Sequence, residues 1–370
     1  MAAGRRRGEA RNCSARADHG SRNSVDSRLN VNLVSLITPC RNEASHVEAF
    51  VDAALAQQLP ASWDLELIIA DGASNDGTRA RLERRAAADA RLVLVDNPAG
   101  ATAVGLNLAI ARARGETIVR LDVHTRYAPD YVQRCLETLE RTGAASVGGP
   151  WQPEPGTGRA GWIALAWASR FGSGGAASRQ VDHRGPVDTV YLGAWRRETL
   201  RALGGFDEAL LRTEDDDLNL RIVRSGGTVW QDPAIRSWYR PRASFSSLAA
   251  QMYQYGYWKW PLLRKHRVPA SLRHLVPGLF VGVVALLLLL GLWKSLFAAV
   301  ALALASLHLG AALGAAALVV APSRSLPGWL AVAWATVCMH WAYGIGFVHA
   351  LIDHALRGGR AGRAATRLTR

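Results

Sequence analysis

The chain has 370 residues, 44 Lys and Arg against 30 Asp and Glu, a formal net charge of +14 and a mean hydropathy of +0.02. With 49% hydrophobic residues it is not a disordered chain, a collagen-like repeat or a small disulfide scaffold. Its cysteines, Cys13, Cys40, Cys135 and Cys338, are far apart with no C-x-x-C pair, so a zinc site or disulfide framework is not expected and the bulk reads as a reducing-compartment protein.

Residues 1–30 are rich in Arg, Ser, Asn and Gly and hold almost no large apolar side chain, which predicts a disordered basic tail. No apolar core follows the N-terminal arginines, so no secretory signal peptide is expected. From Val31 a rhythm begins. Short β-rich runs at Val31–Thr38, Leu65–Ala70, Leu92–Val95, Thr117–Leu121 and Ala145–Val147 alternate with helix-like stretches at Ser45–Gln58, Thr78–Ala88, Ala101–Arg114 and Pro129–Arg141. Strands alternating with helices predict an α/β fold with a largely parallel sheet and helices on both faces. A G-x-G-x-x-G fingerprint is missing from the first βα turn and no Walker A sequence exists, so the nicotinamide and P-loop readings lose their main support.

Residues 150–240 read as irregular, with shorter periodic pieces. Arg242–His274 interleaves Phe245, Leu248, Met252, Tyr255, Trp258, Leu262 and Leu263 with Lys259, Arg264, Lys265, His266 and Arg267. That pattern predicts an amphipathic segment on a membrane surface over 241–274, with an ordinary core-facing helix as the alternative. Leu275–Trp293, Leu296–Val320 and Trp329–Ile352 are each near or above the roughly 20 residues that cross a hydrocarbon layer. Transmembrane helices are expected over 275–352, followed by a basic tail over 353–370. Three spans from a cytoplasmic body would leave the tail arginines outside, against the positive-inside tendency, so the third segment could instead be re-entrant or interfacial.

Ligands of an open parallel sheet bind at the carboxyl ends of its strands. Those ends read Thr38-Pro39-Cys40-Arg41-Asn42-Glu43, then Asp71-Gly72-Ala73-Ser74-Asn75-Asp76-Gly77-Thr78, then Asp96-Asn97-Pro98, then Asp122-Val123-His124. Each alone reads as a polar turn; together they predict one site. Strand alternation would send Asp122 and His124 to the same side, where a carboxylate and an imidazole can share a divalent cation, Mn2+ or Mg2+. Downstream, Glu214-Asp215-Asp216-Asp217 is a run of four acids. Crowded carboxylates raise one another's pKa, a condition for a general base; favourable charge at a helix N-terminus is the plainer alternative.

Val34–Glu43, the Asp71–Thr78 turn, Asp122-Val123-His124, and Gly204-Gly205-Phe206-Asp207-Glu208 followed by Thr213-Glu214-Asp215 resemble glycosyltransferase family 2 over about Val31 to His266. Val187-Asp188-Thr189-Val190-Tyr191-Leu192-Gly193, Pro241-Arg242 and Gln254-Tyr255-Gly256-Tyr257-Trp258-Lys259 are similar to the bacterial succinoglycan-type exopolysaccharide transferases. The resemblance implies a GT-A nucleotide-diphospho-sugar fold over 31–240 and inversion at the anomeric carbon. It implies nucleotide contacts from Pro39, Asn42, Glu43 and Asp71, with Asp71 on the base, usually uracil. It implies metal and diphosphate binding by Asp122 and His124, where Asp-x-His departs from the commoner Asp-x-Asp. Asp215 matches the general base, with Glu214 beside it. Gln254, Tyr257 and Trp258 fall in the spacing of the acceptor-side Gln-x-x-Arg-Trp motif, with Tyr257 where processive synthases carry Arg.

The expected activity is therefore membrane-anchored, inverting transfer of a sugar from a nucleotide-diphospho-sugar donor, a UDP-sugar, to a polyprenyl-linked glycan acceptor. The catalytic domain is expected on the cytoplasmic side of a multi-pass protein of the cell membrane, in contact with membrane lipids. The alternative is a membrane transporter or sensor with a cytoplasmic nucleotide-sugar-binding domain. The basic residues are spread over tails and the juxtamembrane stretch with no nucleic-acid motif, so nucleic acid is not an expected partner.

Overall fold

The computed structural model describes residues 32–269, 271–321 and 325–358. The expected N-terminal tail, and residues 359–370 of the C-terminal one, lie outside the described residues. Four parallel strands form the first half: β1 (Asn32–Cys40), β2 (Trp63–Asp71), β3 (Leu92–Asp96) and β4 (Thr117–Arg120). They are joined by α1 (Val47–Leu55), α2 (Thr78–Ala88) and α3 (Thr102–Arg112). The strands are almost continuously apolar because both faces are covered. Leu36, Leu67 and Ile69 pack towards α1 and α4 (Tyr131–Thr142), while Ile37 and Ile68 pack towards α3.

The second half departs from the largely parallel sheet that the alternation predicts. After β5 (Thr125–Tyr127), α4, β6 (Ser146–Gly149) and α5 (Gly158–Ala168) come β7 (Gly185–Pro186) and β8 (Tyr191–Arg196). β8 lies between β4 and β6 and runs antiparallel to both. With α6 (Arg197–Ala202), α7 (Glu214–Arg224), β9 (Val229–Gln231) and β10 (Ser237–Tyr239), the eight-stranded order is β3-β2-β1-β4-β8-β6-β9-β7, and β10 pairs with β5 in a separate ribbon. These elements fill the stretch that reads as irregular. From α5 onward they are two to eleven residues long and interrupted by glycine, too short for periodicity to register.

Four helices follow: α8 (Phe245–His266), α9 (Val276–Gly291), α10 (Ser295–Val320) and α11 (Leu326–Arg357). Three apolar stretches, Leu272–Gly291, Ser295–Val320 and Leu326–Leu356, are long and apolar enough to cross a membrane. Leu279, Leu289, Leu302, Leu307 and Leu318 are all more than 60% exposed to the surroundings. Such a contiguous uncovered apolar face suits lipid rather than water. The third segment is one unbroken helix and not a re-entrant turn. It also takes in 353–357, which the sequence assigns to the tail, and Asp353 is buried.

α8 begins where Ser244 Oγ accepts from Ser247 N at 3.2 Å. Between Gln251 and Trp260 no residue is exposed. The helix is enclosed between the sheet domain and α11 along this stretch, rather than laid with one face open. Two glycines permit the contact: a Cβ on Gly256 would strike the Tyr343 carbonyl oxygen, and one on Gly346 would strike that of Tyr253. Tyr257 Oη donates to Asp353 Oδ2 at 3.0 Å, and Tyr253 bonds His349.

Candidate active site

A cavity of about 800 Å³ opens at the carboxyl ends of the central strands. Its wall includes Pro39, Asn42 and Glu43 after β1, Asn97 after β3, Asp122 and His124 after β4, and Thr213 to Asp216 at the head of α7. The far wall comes from Gln251, Tyr255 and Lys259 of α8, Pro277 of α9, and Met339 and Tyr343 of α11. Residues distant in sequence thus share one space because parallel strands end on the same edge.

The β1 turn is braced by the β2 turn. Asn42 has φ +55°; its N–H donates to Ser74 Oγ at 2.9 Å and its Oδ1 accepts from Asn75 N at 2.9 Å. Glu43 N donates to Thr78 Oγ1 at 2.8 Å. Asp71 is buried but does not line the cavity; it stands behind the β1 turn, with Oδ2 accepting from Ser74 N at 3.3 Å. Its Oδ1 is buried with no partner among the described residues. Asp96, expected on the rim, turns outward to Arg79 with its side chain 77% exposed.

Asp122 and His124 are not alternating strand residues. β4 ends at Arg120, and the two occupy a tight turn before β5. Tyr127 closes that turn: its Oη accepts from Asp122 N at 2.6 Å and donates to Asp122 O at 3.1 Å. His124 Nδ1 lies 3.6 Å from Glu43 Oε1. Among the described residues no three His, Cys, Asp or Glu side chains group as a metal site. One carboxylate and one imidazole facing a shared cavity still fit a Mg2+ or Mn2+ ion, which usually takes only one or two protein ligands and completes its shell with water and substrate phosphate.

Sequence reasoning missed Arg120, because a lone Arg in an apolar strand carries no motif. Its buried guanidinium spans Asp122 Oδ1 at 3.1 Å and Glu214 Oε1 at 3.2 Å. Flanking carboxylates hold its pKa well above the usual arginine range despite burial.

The four acids of α7 differ in their partners. Glu214 is tied to Arg120, Asp216 to Lys259, and Asp217 to Arg221 at 2.8 Å, Lys265 at 2.5 Å and His266 at 2.7 Å. Asp215 has no ion pair among the described residues; its Oδ1 accepts from Asp216 N at 2.8 Å. Burial, then the charges of Asp216 and Glu214, push its carboxyl up to about 7. Thr213, immediately before, has φ +66°, a strained conformation for a β-branched residue. Asn107 of α3 clasps the Gly204-Gly205-Phe206-Asp207-Glu208 segment by accepting from Phe206 N and donating to Phe206 O, both at 2.8 Å. Arg221 donates to the Leu203 and Gly205 carbonyls, which fixes α7 against the sheet.

Of the expected acceptor-side residues, Tyr257 and Trp258 do not face the cavity. They pack with Leu210, Leu262 and Ala350 towards α11. Gln254 accepts from Arg212 Nε at 3.3 Å, also outside the cavity wall. Helical geometry explains the difference: Gln251, Tyr255 and Lys259 form their own i, i+4, i+8 stripe, rotated from that of Gln254, Tyr257 and Trp258.

Residues 35–203 match the family model described as glycosyl transferase family 2. The succinoglycan biosynthesis protein ExoA of Rhizobium meliloti is 32% identical over 328 residues, 87% of this chain and 96% of that protein. Among solved structures, the mannosyltransferase PcManGT from Pyrobaculum calidifontis, in complex with GDP-Man and Mn2+, has a TM-score of 0.57 at 24% identity. It covers 86% of this chain and 87% of its own, and shares the GT-A fold. The likeness to ExoA spans most of both chains, and the chain belongs to glycosyltransferase family 2.

Proposed function

We propose that the protein is an inverting, membrane-anchored transferase that moves a sugar from a UDP-sugar to a polyprenyl-diphosphate-linked glycan in the synthesis of a cell-surface polysaccharide. The carrying observation is Asp215, the one acid of its run without an ion pair among the described residues, half-buried in the wall of the same cavity as Asp122 and His124. Asp215 takes the proton from an acceptor hydroxyl. That oxygen attacks the anomeric carbon from the face opposite the diphosphate, and the bond from that carbon to the diphosphate oxygen breaks. Arg120 holds Glu214 in an ion pair at 3.2 Å, so that this carboxylate is engaged and Asp215 is not.

Asp122 and His124 would hold the divalent cation, and Glu43 orients His124. Such a cation supplies positive charge against the departing diphosphate. Asp71 receives the nucleobase: a buried acceptor oxygen lacking a donor is the condition that an imide N–H relieves. The mixed wall, polar on the sheet side and apolar on the side of Pro277, Met339 and Tyr343, suits an acceptor with a sugar head and a lipid tail. The catalytic domain faces the cytoplasm, where Arg264, Lys265, Arg267 and Arg273 flank the first apolar stretch.

The test is transfer of radiolabelled sugar from a panel of nucleotide sugars into extracted membrane lipids, with and without Mn2+. Metal-dependent label in the lipid phase is expected from one donor. Equal transfer to free sugars would overturn the lipid-linked acceptor, and no transfer from any UDP-sugar would overturn the donor.

A further inference from the structure

Not every cation lining the cavity is spoken for by a carboxylate. Arg120 is paired with Asp122 and Glu214, Lys259 with Asp216, Arg273 with Asp188 at 2.5 Å, and Arg240 lies 3.6 Å from Glu154. Arg179 and Arg242 have no carboxylate partner among the described residues. Arg179 Nη1 and Arg242 Nε are each buried without a hydrogen-bond acceptor. An unsatisfied buried charged donor is costly, so in a working protein something supplies the acceptor.

Arg179 is held by shape and not by charge. Its guanidinium carbon lies 3.9 Å from the ring centroid of Trp151 and 4.5 Å from that of Trp167. Two indoles fix the plane of the fork and leave its charge unneutralised. Burial lowers its pKa only to about 10, so it stays cationic at neutral pH. Arg179, Trp151 and Trp167 also line a second space of about 530 Å³, so they form the partition between the two.

Position separates this arginine from the donor end. Asp122 and His124 are held by Arg120, Tyr127 and Glu43, whereas Arg179 feels Tyr255, Tyr239, Arg273 and Asp216. It therefore belongs to the side formed by α8 and the segment leading into α9, next to the residue that follows Asp215. The same cavity reaches apolar helices at Pro277, Met339 and Tyr343.

We propose that Arg179 and Arg242 form an anion seat for the phosphoryl group of a lipid-borne diphosphate acceptor, distinct from the donor diphosphate site; this rests on the transferase reading above. A charged fork between two indoles would hold the acceptor's diphosphate bidentately while its chain leaves along the apolar helices.

Binding to the full-length protein in detergent tests this, with labelled farnesyl diphosphate as probe, farnesol as its uncharged counterpart, and UDP with Mn2+ saturating the donor end. Farnesyl diphosphate is expected to bind alongside UDP. R179A should weaken it about tenfold or more while UDP affinity stays within about twofold, and R179K should recover only part. R242A should weaken the probe in the same direction, and it serves as the deciding variant if R179A does not fold. Equal loss of UDP and farnesyl diphosphate in R179A, complete displacement of the probe by UDP, or farnesol binding as tightly as the diphosphate would each overturn the seat. Metal-dependent UDP binding to the unaltered protein reads out the donor site separately, so failure there is distinguishable from failure of the seat.

Discussion

Arg120 Nη1 reaches Glu214 Oε1 at 3.2 Å across 94 positions of sequence, joining the end of β4 to the first turn of α7. Through the same guanidinium Asp122 is drawn into the contact at 3.1 Å. Asp122 and Glu214 are therefore both held by one buried cation, and their separation is set by its fork.

Replacing Arg120 by Met should leave the buried Glu214 and the half-buried Asp122 without their cation, a loss of about 3–5 kcal/mol by analogy with broken buried pairs. Thermal unfolding in detergent should show a clearly lowered midpoint, with Arg120→Lys between the two. An unchanged midpoint would mean that the bridge is dispensable.

Asp215→Asn should lower turnover by about 10²–10⁴-fold, the usual range for a lost general base. Nucleotide affinity, measured by titration with UDP and Mn2+, should hardly change. Wild-type transfer by this variant would remove Asp215 from the chemistry.

Asp215 must be deprotonated to accept a proton. Its carboxyl is pushed up to about 7 from an ordinary 3.8, so turnover should fall as pH drops through neutrality and not only in strong acid. Lys259 is among the charges that hold this value down. Lys259→Met should therefore move the acid limb of the pH profile to higher pH. A limb that moves the other way contradicts the assignment.

Asp122→Asn and His124→Ala should each raise the Mn2+ concentration needed for half-maximal UDP binding by about tenfold or more. Binding of UDP without metal should be nearly equal in all three proteins. Identical metal titrations would assign the cation elsewhere.

Gly256→Leu and Gly346→Leu should force α8 and α11 apart, because each new side chain meets backbone of the facing helix. Overpacking of this kind costs about 1–3 kcal/mol or more. Both variants should lose thermal stability, whereas Gly310→Leu on α10, with nothing within 4 Å of its Cβ, should not. Equal behaviour of all three would argue against the close contact.

Legibility varied with the length of the signal. Thr78–Ala88 coincides with α2, and the strands from β1 to β4 fall within a few residues of their predicted runs, because apolar runs broken by Asp-Gly and Asn-Pro turns are local features. The antiparallel β8 was not legible: strand direction is decided by which neighbour the chain returns to, and no local period records that. Among site residues, Pro39, Asn42, Glu43, Asp122, His124, Glu214 and Asp215 do meet in one cavity. Asp71 stands one layer behind it. Gln254, Tyr257 and Trp258 lie off its wall, since a motif spacing names a helix and not the face that the helix presents.

Composition and pattern by themselves determined an alternating α/β half, three apolar helices and a set of polar strand ends, because burial and turn chemistry act over a few neighbouring residues. Which acid stands unpaired among Glu214, Asp215, Asp216 and Asp217 was decided only by tertiary structure. Four like residues in a row have nearly the same intrinsic acidity; they differ once Arg120, Lys259 and Arg221 arrive from elsewhere in the chain and leave one half-buried carboxylate without an ion pair among the described residues.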